Sequence, residues 1–516
     1  MSATSNRFLP VNDDVRSHRA WALIAVLLAL SIAVLTILRY WVLSAPYPPG
    51  LDGAQWLTFG RLTFGGPGRS AESAYAPLVP VVAHGLSVWL GPFLGLRILA
   101  ALTLVLLAGA TWLLCVRVLG LAWGSLAAAL VLPCTAMTEP IFYGGYPQQA
   151  ALAFGLFGIT GLANAKGSEG ASQRNRDLAL AAAAFVLGSA SHLLFGPLLL
   201  ASGALAAFFS SVLRPDQRRC LARFAIFLAP AAIVCVAVTM TYLGAGYSAP
   251  LAGTQRTIPE AWVYATREAP GLWAAILCGG VLSAATLVFR DRRRIGLQQS
   301  APRIPDAVAV GLALALPSAI LFIASGQPRL APPLLMGGAI LFTCALRFAC
   351  QGLACTLPPI LAGWIVVTIW SARSTTTIAH EFASFYQVLD ASTIAATRSI
   401  PVTQNSAIAV AADRRGWPVG WWVEALQEQP VYTGSDPQWL AFPDERTRAD
   451  AVAQLLASPD GRVLQQRAEA LDVTYLVVRK WDWLGWDRWI DGDPNAPAVN
   501  YDDNVTIVLQ IFPVTT

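Results

Sequence analysis

The chain has 516 residues, 55% hydrophobic and 13% charged, with mean hydropathy +0.54 and a net charge of +5. A water-soluble globule of this composition would expose far too much apolar surface, so the sequence reads as an α-helical polytopic membrane protein. Eight cysteines without a CxxC pair and four scattered histidines argue against a disulfide framework and a histidine-built metal centre. The charge is uneven: from Ala372 on, eighteen Asp and Glu face eleven Lys and Arg, leaving twelve against twenty-four before it. A basic membrane half is what cytoplasmic loops facing anionic lipid produce, and nucleic-acid binding is not implied.

In chain order, the first apolar run, Ala20 to Leu43, is long enough at about 1.5 Å per residue to cross a hydrocarbon core of about 30 Å and exceeds a signal-peptide core. Further runs cover 73–90, 94–114, 121–137, 147–165, 178–213 (long enough for two spans), 222–244, 271–289, 307–323, 332–346 and 353–370. That predicts 11–13 transmembrane helices over residues 1–371. Arg16, Arg19, Arg214, Arg218, Arg219, Arg223 and the Arg290 to Arg294 run read as cytoplasmic, which puts the N-terminus inside and the region after Trp370 outside. These ends require an odd number of crossings, whereas twelve segments are counted. One segment is therefore expected to be re-entrant, or one has been missed, with the region between Ser73 and Met137 the first place to look, since Pro77, Pro80 and Pro92 fall there and 121–137 is short.

Residues 372–516 change character. Ser406–Ala411, Val473–Val478 and Val505–Ile511 read as buried strands and Asp444–Ser458 as an acid-capped amphipathic helix, predicting a small extracytoplasmic α/β domain. Its tryptophans, Trp481, Trp483, Trp486 and Trp489 with Trp417, Trp421 and Trp422, suit sugar stacking, membrane docking or core packing.

Polar residues that carry chemistry gather in the loops expected outside. The loop after the first span, Ala45 to Trp56, presents Asp52, with Trp56 and Glu72 nearby. A carboxylate beside a bilayer is costly to hold, which marks Asp52 as the leading catalytic residue; the alternative is an N-cap of the following helix. Thr138 to Gln149 supplies Glu139, Tyr143, Tyr146, Gln148 and a glycine pair that lets backbone approach a ligand. Glu139 is a second catalytic candidate or a solvated loop acid. His192, in an apolar run, is a substrate-binding candidate or a helix-packing histidine. Arg329, in Ser325 to Pro333, runs against the positive-inside tendency and asks for an anion, with snorkelling to headgroups as the alternative.

The first-loop Asp52, the Tyr75-Ala-Pro-Leu-Val-Pro80 stretch and Gly91-Pro-Phe-Leu-Gly-Leu-Arg97 together resemble the GT-C superfamily of integral-membrane glycosyltransferases, among them protein mannosyltransferase and aminoarabinose transferase relatives. The resemblance covers most of residues 1–371. It implies a bacterial inner-membrane enzyme that moves a sugar from a polyprenyl-phosphate carrier to an envelope glycan, lipid or protein acceptor. It implies inversion, with Asp52 as general base and Arg329 on the lipid phosphate. Such enzymes often carry a second acid as Asp-x-Asp, which is missing here, with Glu139 the nearest substitute, so a bound divalent metal is not expected. The competing readings are a transporter or flippase of lipid-linked glycans, or a non-catalytic envelope assembly protein. Few ionisable groups lie within the spans, which weighs against transport.

Overall fold

The computed structural model describes residues 11–66, 75–168, 170–213, 218–247, 256–294, 304–351, 357–402, 407–490 and 496–512. The membrane part contains α1 (Val11–Leu43), α2 (Asp52–Thr63), α3 (Leu78–Leu90), α4 (Pro92–Leu119), α5 (Leu121–Val131), α6 (Thr135–Tyr143), α7 (Tyr146–Gly167), α8 (Ala171–Ser191), α9 (Phe195–Leu213) and α10 (Arg218–Gly244). It continues with α11 (Ile258–Ala265), α12 (Pro270–Arg294), α13 (Ile304–Ser325), α14 (Ala331–Gln351) and α15 (Leu357–Tyr386). Among the described residues six helices are long and apolar enough to cross a membrane, and the α5–α6 pair makes a seventh if its 51° bend lies within one span. The protein is thus a multi-pass membrane protein.

Contacts at the helix ends trace the path. Arg97, near the start of α4, donates to the Trp41 carbonyl at the end of α1, while Arg117 at the far end of α4 donates to Asn164 on α7 and Arg347 on α14 donates to the Leu119 carbonyl. At the first end, Tyr75 contacts both His192 after α8 and Tyr242 at the end of α10. These contacts place the start of α4 with the ends of α1, α8 and α10, and the far end of α4 with the ends of α7 and α14. Both α2 and α3 stay at one end. The 73–90 run yields a 13-residue helix, shorter than the helices long enough to span. Pro133, between α5 and α6, has no amide to donate, and the break there bends the pair.

After α15 the chain forms α16 (Ala391–Ser399), β1 (Ala407–Val410), α17 (Gly420–Gln427), β2 (Val431–Thr433), α18 (Pro443–Leu456), α19 (Gly461–Glu469), β3 (Val473–Arg479), β4 (Ala498–Asp502) and β5 (Thr506–Gln510). The sheet order is β2-β1-β3-β5-β4, with β1 parallel to β2 and β3 and the last three strands antiparallel. Helix α15 passes through residue 371, where the composition changes, and ends fifteen residues later. The strand expectations for 406–411, 473–478 and 505–511 correspond to β1, β3 and β5. Two strands were not expected: β2 is three residues long, and β4 is largely exposed, so neither gives a hydrophobic period.

The domain is seated on the bundle by one continuous apolar core that includes Tyr40, Trp56, Leu57, Phe142, Phe382, Trp417, Trp421 and Trp422. Arg61 on α2 donates to the carbonyls of Glu424 (3.1 Å) and Ala425 (3.4 Å) at the end of α17, and the Trp422 indole donates to the Gly50 carbonyl (2.9 Å). In the 481–489 cluster, Trp489 is buried in the domain's own core and Trp481 is exposed. Truncating the fully buried Trp422 removes a large aromatic and one hydrogen bond. Trp422→Ala should cost about 3–5 kcal/mol and make the region after Tyr386 more susceptible to limited proteolysis while the bundle resists. Equal cleavage rates in wild type and variant would show that Trp422 does not hold the domain.

Candidate active site

Helix α2 carries the leading residue at its start. The N-cap position belongs to Leu51, in helical geometry and without a side-chain cap bond, so Asp52 is the first residue of the helix and caps nothing. Among the described residues the Asp52 carboxylate has no hydrogen bond or ion pair. It is half-buried, and burial pushes its pKa up from 3.8 to about 7; the Arg329 charge pulls against this and Glu445 adds to it.

Two glycines bring the loops of the site into backbone contact. Gly144 has φ +96°, and a Cβ there would lie 2.6 Å from the Gly53 nitrogen and 3.0 Å from the Asp52 Cβ. Gly50, at φ +100°, faces the Tyr143 carbonyl carbon at 2.4 Å in the same sense. Trp56 closes this junction, its indole donating to the Gly144 carbonyl at 2.6 Å. Gly144→Ala meets a strained φ and a backbone wall at once, so it should destabilise the protein by more than about 1–3 kcal/mol. A thermal-unfolding midpoint equal to wild type would refute this close approach.

Arg329 lies on a 3-10 turn, Pro328–Leu330, just before α14. Its charge acts on Asp52, Tyr75, Tyr143, His192 and Tyr247, which puts these side chains within electrostatic range of it. Its Nε is buried without a hydrogen-bond partner. The turn is tied to the Gly144 loop through Gln148, whose Oε1 accepts from the Tyr143 hydroxyl (2.8 Å) and whose Nε2 donates to the Arg329 carbonyl (3.5 Å). An uncompensated guanidinium held beside an acid that titrates near neutrality is suited to receive an anion.

Glu139 sits one layer away. It is buried on α6 and accepts hydrogen bonds from the hydroxyls of Tyr386 (2.8 Å) and Tyr264, and the Tyr264 ring in turn lies under the Arg256 guanidinium at 3.9 Å. It is therefore not a solvated loop acid. Tyr143 packs on Tyr386 (5.8 Å) and links this cluster to Asp52. Tyr146 is fully buried, its hydroxyl next to that of Tyr40 in the core. Glu72 lies outside the described residues.

Sequence reasoning missed the aromatic wall built around Tyr75. Tyr75 contacts Trp56 (4.6 Å), His192 (6.1 Å) and Tyr242 (5.4 Å); Tyr242 contacts Tyr247 (5.1 Å), and Tyr247 reaches Phe442 of the C-terminal domain (5.7 Å). Phe442 precedes α18, and Glu445 in its first turn accepts from the amides of Ala441 (3.0 Å) and Phe442 (3.3 Å). The C-terminal domain thus contributes both an aromatic face and a negative charge to the site. The only signal was Tyr75 within its proline-flanked stretch; nothing local marks Phe442 or Glu445.

Among the described residues no three His, Cys, Asp or Glu side chains come together to hold a metal ion. The donors near Asp52 are an arginine, tyrosines and a histidine whose Nδ1 is already engaged, and Glu139 is taken up by two hydroxyls. This set does not suit a divalent cation.

The chain thus combines a helical bundle with a small mixed sheet seated over an acid-bearing first loop. No known family model and no curated protein matches the sequence, but solved structures do. ArnT from Cupriavidus metallidurans bound to undecaprenyl phosphate superposes with a TM-score of 0.58 at 12% identity, covering 96% of this chain and 98% of that one. The archaeal oligosaccharyltransferase AglB from Archaeoglobus fulgidus, in complex with an inhibitory peptide and a dolichol-phosphate, gives 0.57 at 13% identity, covering 87% of this chain and 69% of that one. The chain shares the fold of both.

Proposed function

We propose that this protein is a glycosyltransferase that takes a sugar from a polyprenyl-phosphate carrier and places it on a hydroxyl of an envelope glycan, lipid or protein. The observation that carries the reading is the unpartnered Asp52 carboxyl beside the uncompensated Arg329. The two similar structures, one bound to undecaprenyl phosphate and one to a dolichol-phosphate, support a lipid-phosphate donor.

In the proposed step the acceptor oxygen attacks the anomeric carbon from the side opposite the phosphate. The bond from that carbon to the phosphate oxygen breaks, its electron pair leaves with the lipid phosphate, and the acceptor proton passes to Asp52. The anomeric configuration inverts. One negative charge moves from Asp52 to the departing phosphate, where Arg329 meets it. A carboxyl titrating at about 7 matches this work, since a base is most effective when its pKa lies near the working pH.

The test incubates the purified chain with a short-chain polyprenyl-phosphate-linked sugar and a hydroxyl acceptor or water and follows release of polyprenyl phosphate. Release should rise as pH increases through about 7 and yield the inverted anomer. Product of retained configuration would exclude the single displacement.

The arginine runs support a cytoplasmic N-terminus and an outer-face site. A reporter active only in the cytoplasm, fused after Thr516, should be silent; strong activity would move the chemistry to the other face.

A further inference from the structure

His192 ends α8, and its ring is fixed by the next helix. The backbone amides of Leu194 and Phe195, at the start of α9, both donate to Nδ1, at 3.0 and 3.3 Å. A nitrogen facing two N–H donors must present its lone pair, so the ring proton is on Nε2. Among the described residues Nε2 has no hydrogen-bond partner. The ring stands edge-on to Tyr75, centroids 6.1 Å apart, and lies within reach of the Arg329 charge.

Two groups with polar capacity left over, the Asp52 carboxylate and the His192 Nε2–H, thus lie within reach of the Arg329 charge, and Tyr75 packs between the His192 ring and Trp56 on the helix that Asp52 begins. From this arrangement we infer that His192 is a neutral hydrogen-bond donor to the phosphate of the lipid carrier, acting beside Arg329. The inference rests on the lipid-phosphate reading of the site. Burial and the neighbouring Arg329 push the imidazole pKa down to about 3, which agrees with a ring that stays uncharged at working pH.

The neutral state has a chemical consequence. His192 keeps its proton and donates a hydrogen bond to an oxygen that gains charge as the sugar leaves. The phosphate departs as the dianion, and only Asp52 takes up a proton. A phosphate monoester dianion is stable near neutrality, so no general acid is needed.

The two nitrogens can be separated by substitution. In His192→Asn the amide oxygen takes the Nδ1 position and still accepts the α9 amides, while the outer donor is lost. In His192→Gln the amide nitrogen reaches the Nε2 position and the cap is weakened. The probe is a short-chain polyprenyl phosphate titrated into the full-length purified protein, with the polyprenol of equal length, lacking phosphate, as control.

H192N should keep its thermal midpoint near wild type and bind the phosphate roughly ten- to hundredfold more weakly, the loss expected for one charge-assisted hydrogen bond. The polyprenol should bind wild type and H192N alike. Phosphate affinity within about twofold of wild type in H192N, with R329A much weakened, overturns the donor role and leaves His192 a cap. Unchanged affinity in both H192N and R329A instead overturns the lipid-phosphate reading, and the role of His192 with it. If H192N does not fold, H192Q and His192→Leu decide, since both lack the cap and only Gln donates: H192Q should bind at least about tenfold more tightly than H192L, and equality overturns the inference.

Discussion

Asp52→Asn should lower turnover by about two to four orders of magnitude while lipid-phosphate binding stays close to wild type. The substitution keeps size and polarity and removes the lone pair that would take the acceptor proton. In the wild type, kcat/KM should fall as pH drops through about 7, the value to which burial lifts this carboxyl, and Asn should abolish that limb. Stability moves the other way. Because the folded-state pKa lies above the unfolded value of 3.8, the acid's contribution is fully present below that value and is lost as pH rises through about 7. At pH 8 the Asn variant should therefore unfold no earlier than wild type. A variant that loses expression and unfolds early, with no selective kinetic defect, would sink the assignment of Asp52 as base.

Arg329→Ala should weaken binding of a short-chain polyprenyl phosphate by roughly 2 kcal/mol or more, about thirtyfold, since a charged donor is removed from a site where its Nε is buried. Arg329→Lys keeps the charge but loses the planar fork and should fall between the two. Affinity for the matching polyprenol should change little. Equal phosphate affinity in wild type and both variants would reduce Arg329 to a headgroup anchor.

Asp52 and Arg329 were legible because each contradicts its surroundings: an acid at the edge of an apolar run, and a cation on the face expected to lack them. Glu139 was legible as a residue but not as an environment, since its burial depends on Tyr264 and Tyr386, more than a hundred positions away. The same limit hid Phe442 and Glu445, which read locally as the start of an ordinary acid-capped helix. Tryptophan density pointed to 481–489, whereas the tryptophans that touch the bundle are Trp417, Trp421 and Trp422. Clustering along the chain reports composition, and only the fold decides which cluster meets a partner surface.

The grip of α17 on α2 bears on how this protein can be recombined with others of its architecture. The segment from Gly50 to Arg61 presents Asp52 on one side and holds Trp422, Glu424 and Ala425 on the other. A chimaera cut in the loop after Tyr386 would thus split a fitted joint down its middle, leaving a foreign domain pressing on the helix that aims the acid. The exchangeable unit is the domain together with residues 50–61, far apart in sequence and inherited as one piece of geometry.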